Sequence, residues 1–164
     1  MSHKRAITFL RKADPKLAAV MDEVGPCTFE PAEHLAHFTA ITRSIVFQQL
    51  SGKAASTIYG RFAALFDDDT PVAHKLIDLS DDQLRAVGLS RQKIGYLRDF
   101  ASRVNAGEIA IDTLHELSDE EIIAALVAVK GIGRRTAQMF LMFRLGRPDV
   151  LPDLDLGIQK GIQR

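Results

Sequence analysis

Cysteine occurs only once in these 164 residues. The lone Cys27 therefore excludes an intrachain disulfide and a cysteine-built metal cage. No stretch is apolar for long enough to span a bilayer. The opening "MSHKRAITFLRKADPK" lacks the apolar run of a secretory signal. Net charge is missing too, with 21 Lys and Arg against 21 Asp and Glu. That balance argues against a protein coating nucleic acid through a broad basic face. It leaves room for a local grip on a few phosphates, because distribution matters more than the sum. No segment alternates with period two, and there is no internal repeat or low-complexity tract. A sheet is not expected. The expectation is a soluble, cytoplasmic protein without membrane contact.

Hydrophobic residues make up 46% of the chain, enough for a real core. Their spacing is helical. Asp14-Pro15 reads as an N-cap followed by proline at the first helical position, opening a helix to about Val24. Between His34 and Phe47, the residues Leu35, Phe38, Ile41, Ile45 and Val46 recur at helical intervals. Ser51 is placed to cap the next helix, whose stripe is Ala55, Ile58, Phe62 and Leu65. Ser80 with Gln83, and Ser118 with Glu121, have capping-box spacing. Ser90 can cap a helix carrying Ile94, Leu97, Phe100 and Val104. Ile122, Leu126 and Val127 lie on one helix near the C-terminal end, and Thr136 to Leu145 on another. Short polar connections then predict an all-α fold of roughly nine or ten short helices.

Between those last two helices lies "VKGIGRRTAQM", residues 129–139. Glycine tolerates positive φ and lets another backbone come close. Gly131 and Gly133 around an apolar Ile132 therefore suit a tight hairpin. The second helix would begin near Arg134, with the free N–H groups of its first turn pointing outward. Those amides and the helix dipole favour an anion, phosphate above all. Lys130, Arg134 and Arg135 add positive charge there. Taken alone, the same residues also fit an ordinary helical corner with solvated arginines.

The longer pattern separates these readings. "VKGIGRRTAQMFLMF" resembles the helix-hairpin-helix of the HhH-GPD family of DNA glycosylases, of form L-P-G-I/V-G-x-x-T-A. Downstream, "DVLPDLDLGIQKG" resembles that family's loop with the catalytic aspartate. Upstream, "HFTAITRSIVFQQLSGKAASTIYGRF" and "GLSRQKIGYLRDFA" resemble its helix–loop–helix and its G-L/M-S-x-x-K-x-x-Y-L segment. Four matches in order cover about residues 34 to 164, and the nearest branch is the AlkA-like 3-methyladenine DNA glycosylases. The resemblance implies two helical lobes around a cleft in one HhH-GPD-like domain, 1–164. Residues 1–33 would belong to an N-terminal lobe, and 34–146 to the helical core with the hairpin near 122–146. Residues 147–164 would form the aspartate loop and the start of a helix. Val129 and Lys130 stand where the family more often has L-P.

By the same resemblance, the hairpin around Gly131, Gly133 and Thr136 would hold a DNA phosphate, with Lys130, Arg134 and Arg135 beside it. The carbonyls of Val127, Val129 and Ile132 would hold a structural Na+ or K+. No cofactor is required. Asp155 matches the catalytic aspartate, with Asp153 as the alternative. Its carboxylate would stabilise an oxocarbenium-like transition state and orient the attacking water. Asp155 can equally N-cap a helix starting at Leu156, and a helix N-terminus favours the ionised form. Strand-nicking relatives carry a Schiff-base lysine where this chain has Arg135. Arginine stays protonated and cannot attack, so hydrolysis without lyase activity is expected. One cysteine also excludes those relatives' four-cysteine iron–sulfur cluster.

The lesions implied are alkylated purines of the 3-methyladenine and 7-methylguanine type, in double-stranded DNA. They are already cationic and leave with little acid help. The base must still leave the stack. Gln49 matches the family's wedge position, flanked by Gln48 and Leu50. Met139 stands where relatives often place an aromatic pocket residue, and Met142 and Phe143 suit core packing. His34 and His37 lack the further ligands that a metal site needs. Relatives usually continue for several helices beyond the aspartate, and those are not found before Arg164. The expected protein is thus a monomeric base-excision glycosylase, nucleoid-associated if bacterial. The alternative is a helix-hairpin-helix DNA-binding module with impaired catalysis.

Overall fold

The computed structural model describes residues 4–32 and 34–163, and among them there is no strand. Two compact units divide the chain, residues 1–30 and 31–164. In the first, α1 (Lys4–Ala13) packs on α2 (Pro15–Val24). Asp14 makes the turn between them. Its carboxylate accepts the amides of Lys16 and Leu17, and Pro15 follows at the position where a missing N–H costs nothing. The sequence gives no start signal for α1, and that helix was not anticipated.

The second unit holds α3 (His37–Phe47), α4 (Gly52–Ala63), α5 (Ala73–Asp78), α6 (Asp81–Ala86), α7 (Arg91–Asn105), α8 (Asp119–Val127), α9 (Arg134–Phe143) and α10 (Leu156–Ile162). Short 3-10 turns occupy Asp67–Asp69 and Ile111–Glu116. Both capping boxes form, at Ser80–Gln83 and Ser118–Glu121. The Ser90 hydroxyl accepts the Lys93 amide at 3.2 Å. Ser51 occupies the N-cap of α4, but its hydroxyl makes no capping bond.

At the centre lies α7, which packs against α3, α5 and α6. Its Ile94, Leu97 and Phe100 are buried, and Phe100 stacks on Phe38 of α3 with ring centroids 4.9 Å apart. Each such side chain contributes about 1.5–3 kcal/mol when fully buried. The α8–α9 pair joins this core through Ile122, Leu126, Ala137, Phe140 and Leu141. The expectation for Phe143 needs correction, since it is 48% exposed. The inward stripe of α9 runs through Ala137, Phe140 and Leu141, and at 100° per residue Phe143 falls outside that arc. No helix among the described residues is long and apolar enough to cross a membrane.

Candidate active site

The bend between α8 and α9 is made by six residues, Ala128 to Gly133. The two glycines do different work. Gly131 has φ +80°, and a Cβ there would lie 2.1 Å from Cδ2 of Tyr96 on α7. Only glycine fits, on both backbone and steric grounds. Gly133 has an ordinary φ of −94° and N-caps α9. A Cβ at Gly133 meets nothing within 4 Å, so the space over it is open. Both glycines lie in the bend, but only Gly131 needs to be glycine for the backbone and for Tyr96; Gly133 is the N-cap of α9, with open space above it.

The bend is fastened to α7. The Lys130 amide donates to Asp99 Oδ2 at 2.9 Å, and Arg103 holds the same oxygen at 3.2 Å. Burial alone would raise the Asp99 pKa. The Lys130 amide and the Arg103 guanidinium outweigh it and hold the carboxyl below the usual range. Inside the bend, the Ile132 amide donates to the Val129 carbonyl at 3.1 Å. That bond uses one lone pair of the oxygen and leaves the other.

Charge around the bend is uneven. The Lys130 side chain is 76% exposed, with its Nζ 3.9 Å from Asp99. Arg134 turns back toward α8 and pairs with Glu120 at 3.0 Å. Arg135 reaches the other way, to Asp155. Its Nε lies 2.6 Å and its Nη2 2.5 Å from Asp155 Oδ2. The other carboxylate oxygen of Asp155 accepts the amides of Gly157 and Ile158 at 2.8 and 3.1 Å. Asp155 is therefore the N-cap of α10 and the partner of Arg135 at once. Arg135 first, then those amides, hold its carboxyl below the usual carboxylate range. The loop leading to it is tied by the buried Gln138 of α9, whose Nε2 donates to the Leu151 carbonyl at 3.3 Å. Asp153 is exposed in the same loop.

Arg135 also lines a polar groove with Gly131, Thr136, Gln49, Lys93 and Tyr96. The α3–α4 turn thus meets the bend across this groove. Gln49 is exposed at its edge with φ +55°, a left-handed conformation that costs a non-glycine residue about 1 kcal/mol or more. Leu50 beside it is also exposed. Gln48 differs from the wedge role expected of it. Its Nε2 donates to the Gly131 carbonyl at 2.8 Å, which occupies its side chain in holding the turn to the bend. Lys93 donates to the Val46 carbonyl at 2.6 Å, near the end of α3, and its burial lowers its pKa. Gln49→Gly is expected to raise stability by up to about 1 kcal/mol in a denaturant melt while weakening binding to a duplex with a base removed. A loss of stability instead would show that the side chain of Gln49 is structural.

Met139 lines a separate small hollow with Leu35, Ser44, Arg43 and Phe140. His37 lies in another, where its Nε2 is 3.2 Å from His115 Nδ1. Neither Met139 nor His37 lines the Gly131 groove. Among the described residues, no three His, Cys, Asp or Glu gather to hold a metal ion. Asp99, Lys93, Tyr96 and Gln138 were all missed in the sequence. The segment around Lys93 and Tyr96 was visible as a pattern, but no local signal tied it to the bend.

Three comparisons bear on this geometry. Residues 42–164 match the family described as HhH-GPD superfamily base excision DNA repair protein. A DNA-3-methyladenine glycosylase of Schizosaccharomyces pombe is 36% identical over 126 residues, covering 76% of this chain and 55% of its own length. The chain therefore spans about half the length of that curated relative. Among solved structures, the S. pombe 3-methyladenine DNA glycosylase in complex with abasic DNA superposes with TM-score 0.84 at 32% identity, over 97% of this chain and 79% of that one. A DNA-3-methyladenine glycosidase of Bacillus halodurans does so with TM-score 0.83 at 38% identity, over 93% and 69%.

Proposed function

The chain belongs to the HhH-GPD superfamily of base excision DNA repair proteins, and from that premise we propose that it is a monofunctional DNA glycosylase. Its substrates are alkylated purines of the 3-methyladenine and 7-methylguanine type in double-stranded DNA. One observation carries the reading: the Asp155 carboxylate is held ionised by Arg135, a residue that lines the same groove as the Gly131 bend.

The first amides of α9, open above Gly133, take a phosphate of the strand. Gln49 enters the stack as the target nucleotide leaves it. The positive charge that grows on the sugar as the glycosidic bond lengthens then faces Asp155. The departing purine takes the bonding electrons and, being cationic beforehand, leaves neutral. Water adds to the anomeric carbon, and Asp155 orients it and accepts its proton. A Na+ or K+ ion on the carbonyls of Val127, Val129 and Ile132 fits an all-oxygen, uncharged donor set with a lone pair spare on Val129. It would stiffen the bend.

Release of 7-methylguanine or 3-methyladenine from alkylated duplex tests the reading directly. Binding without release by the wild-type chain would favour the DNA-binding module instead. Borohydride treatment during turnover should trap no protein–DNA adduct, because Arg135 has no nucleophilic lone pair to offer. A trapped adduct would overturn the hydrolytic assignment.

The basic residues should differ in weight. Lys130→Ala should reduce the slope of log K against log salt by about 0.9, the value for one neutralised phosphate. Arg134→Ala should change it less, since Glu120 already pairs with that guanidinium. Equal changes would mean that Arg134 leaves Glu120 for the DNA.

A further inference from the structure

The α3–α4 turn and the α8–α9 bend are far apart in sequence and joined directly by one hydrogen bond, from Gln48 Nε2 to the Gly131 carbonyl. We propose that Gln48 is a positioning residue that makes the wedge and the phosphate grip act as one body, so that base eversion depends on it far more than strand binding does. The proposal rests on the glycosylase reading for its purpose, though not for its test.

The two partners of this bond are held very unequally. The bend has several other anchors. Lys130 donates its amide to Asp99, Ile132 closes on Val129, and the Tyr96 ring packs over Gly131. A peptide unit is a rigid plane, so these contacts fix the direction of the amides that follow. The bend keeps its shape without Gln48.

The turn has fewer supports. Lys93 fixes it at Val46, before the helix ends. On the far side, Ser51 makes no side-chain cap. Between those points Gln49 sits in a left-handed conformation, in a turn closed only by a long backbone bond from the Leu50 amide to the Phe47 carbonyl at 3.4 Å. Gln48 is the immediate neighbour of that strained residue, and its amide is the link from the turn to the groove floor. Removing the donor should free the turn to relax and let Gln49 swing away from the strand, while the grip stays.

The test uses the full chain and a duplex carrying one tetrahydrofuran abasic site beside a 2-aminopurine, whose fluorescence reports entry of a side chain into the stack. Gln48→Met keeps length and loses the donor; Gln48→Glu keeps length and sets an acceptor against the Gly131 carbonyl. Both are expected to lower the fluorescence change about three- to tenfold, the range of one net hydrogen bond. For Gln48→Met, which adds no charge, affinity for undamaged duplex and its salt slope should stay within about twofold. Combining Gln48→Met with Gln49→Ala should be no worse than the larger single effect, because a freed wedge and a missing wedge fail alike. Additive losses, or equal weakening on damaged and undamaged duplex, would overturn the proposal. Thermal melts of each variant separate a misfolded protein from a loosened turn. The wild-type chain binding and inserting without releasing any base would remove the glycosylase reading and leave this inference standing.

Discussion

Under the proposed reaction, Asp155→Asn is expected to lower the single-turnover rate of base release by about 10²- to 10³-fold, the cost of removing one group aimed at developing transition-state charge, and to leave duplex binding intact. Asparagine is as good an N-cap as aspartate, so α10 keeps the bonds to Gly157 and Ile158. What disappears is the negative charge. The oxocarbenium-like carbon then faces an uncharged amide, and the Arg135 guanidinium beside it has no counter-ion. A rapid-quench measurement on alkylated duplex, with binding measured in parallel, decides the matter. Equal release by both proteins would remove Asp155 from the chemistry.

The pH profile supplies a second reading of the same group. Arg135 and the α10 amides depress the pKa of Asp155. The carboxylate is therefore ionised at every pH above the ordinary value of about 3.9, and this group should cause no fall in rate between about pH 8 and 5. Its contribution to stability has the same sign. It is present above the ordinary carboxylate pKa and is lost as pH drops through the lower folded value. Asp99, also depressed, behaves likewise. An acid limb near neutrality that vanished in Asp155→Asn would contradict the assignment.

The second large effect separates the two glycines of the bend. Gly131→Ala should cost about 2–4 kcal/mol of stability, combining a left-handed alanine with an overpacked contact. The added methyl would lie 2.1–2.4 Å from three atoms of the Tyr96 ring. The ring is in turn hydrogen-bonded through its hydroxyl to Gln92, so it has little freedom to retreat. Gly133→Ala has no such obstacle, with an ordinary φ and open space above it. It should melt near the wild-type temperature but bind duplex about tenfold more weakly, as if one charge-assisted hydrogen bond to phosphate were lost. Calorimetry and a binding titration on both variants suffice. If Gly133→Ala were the one that unfolded, the division of labour would be reversed.

Local chemistry was legible in the sequence and long-range chemistry was not. The capping boxes at Ser80 and Ser118, and the Asp14-Pro15 start, could be read because each bond spans two or three residues. So could the order of helices and the N-cap role of Asp155. The start of α1 could not, for no capping-box spacing precedes Lys4 in the sequence. The same holds for the fastening of the bend. Asp99 receives the Lys130 amide from 31 residues away, and Gln48 reaches Gly131 from 83. Spacing carries no trace of such pairings; only packing α7 between the two segments creates them. Gln48 shows the consequence, since its position beside Gln49 suggested a shared task and the fold gave it another. Phe143 shows the complementary failure: its apolar type points inward, but its angle on α9, away from Ala137, Phe140 and Leu141, turns it out.

The Arg135–Asp155 fork also bears on how this chemistry could change over time. Arginine grips a single carboxylate oxygen through two nitrogens, Nε and Nη2, a hold that lysine's lone ammonium cannot copy. Exchanging arginine for lysine would install an amine able to form an imine with the opened sugar, and would by the same step slacken the acid it works beside. A productive exchange at this position therefore calls for a second change around α10 that restores the hold on the carboxylate.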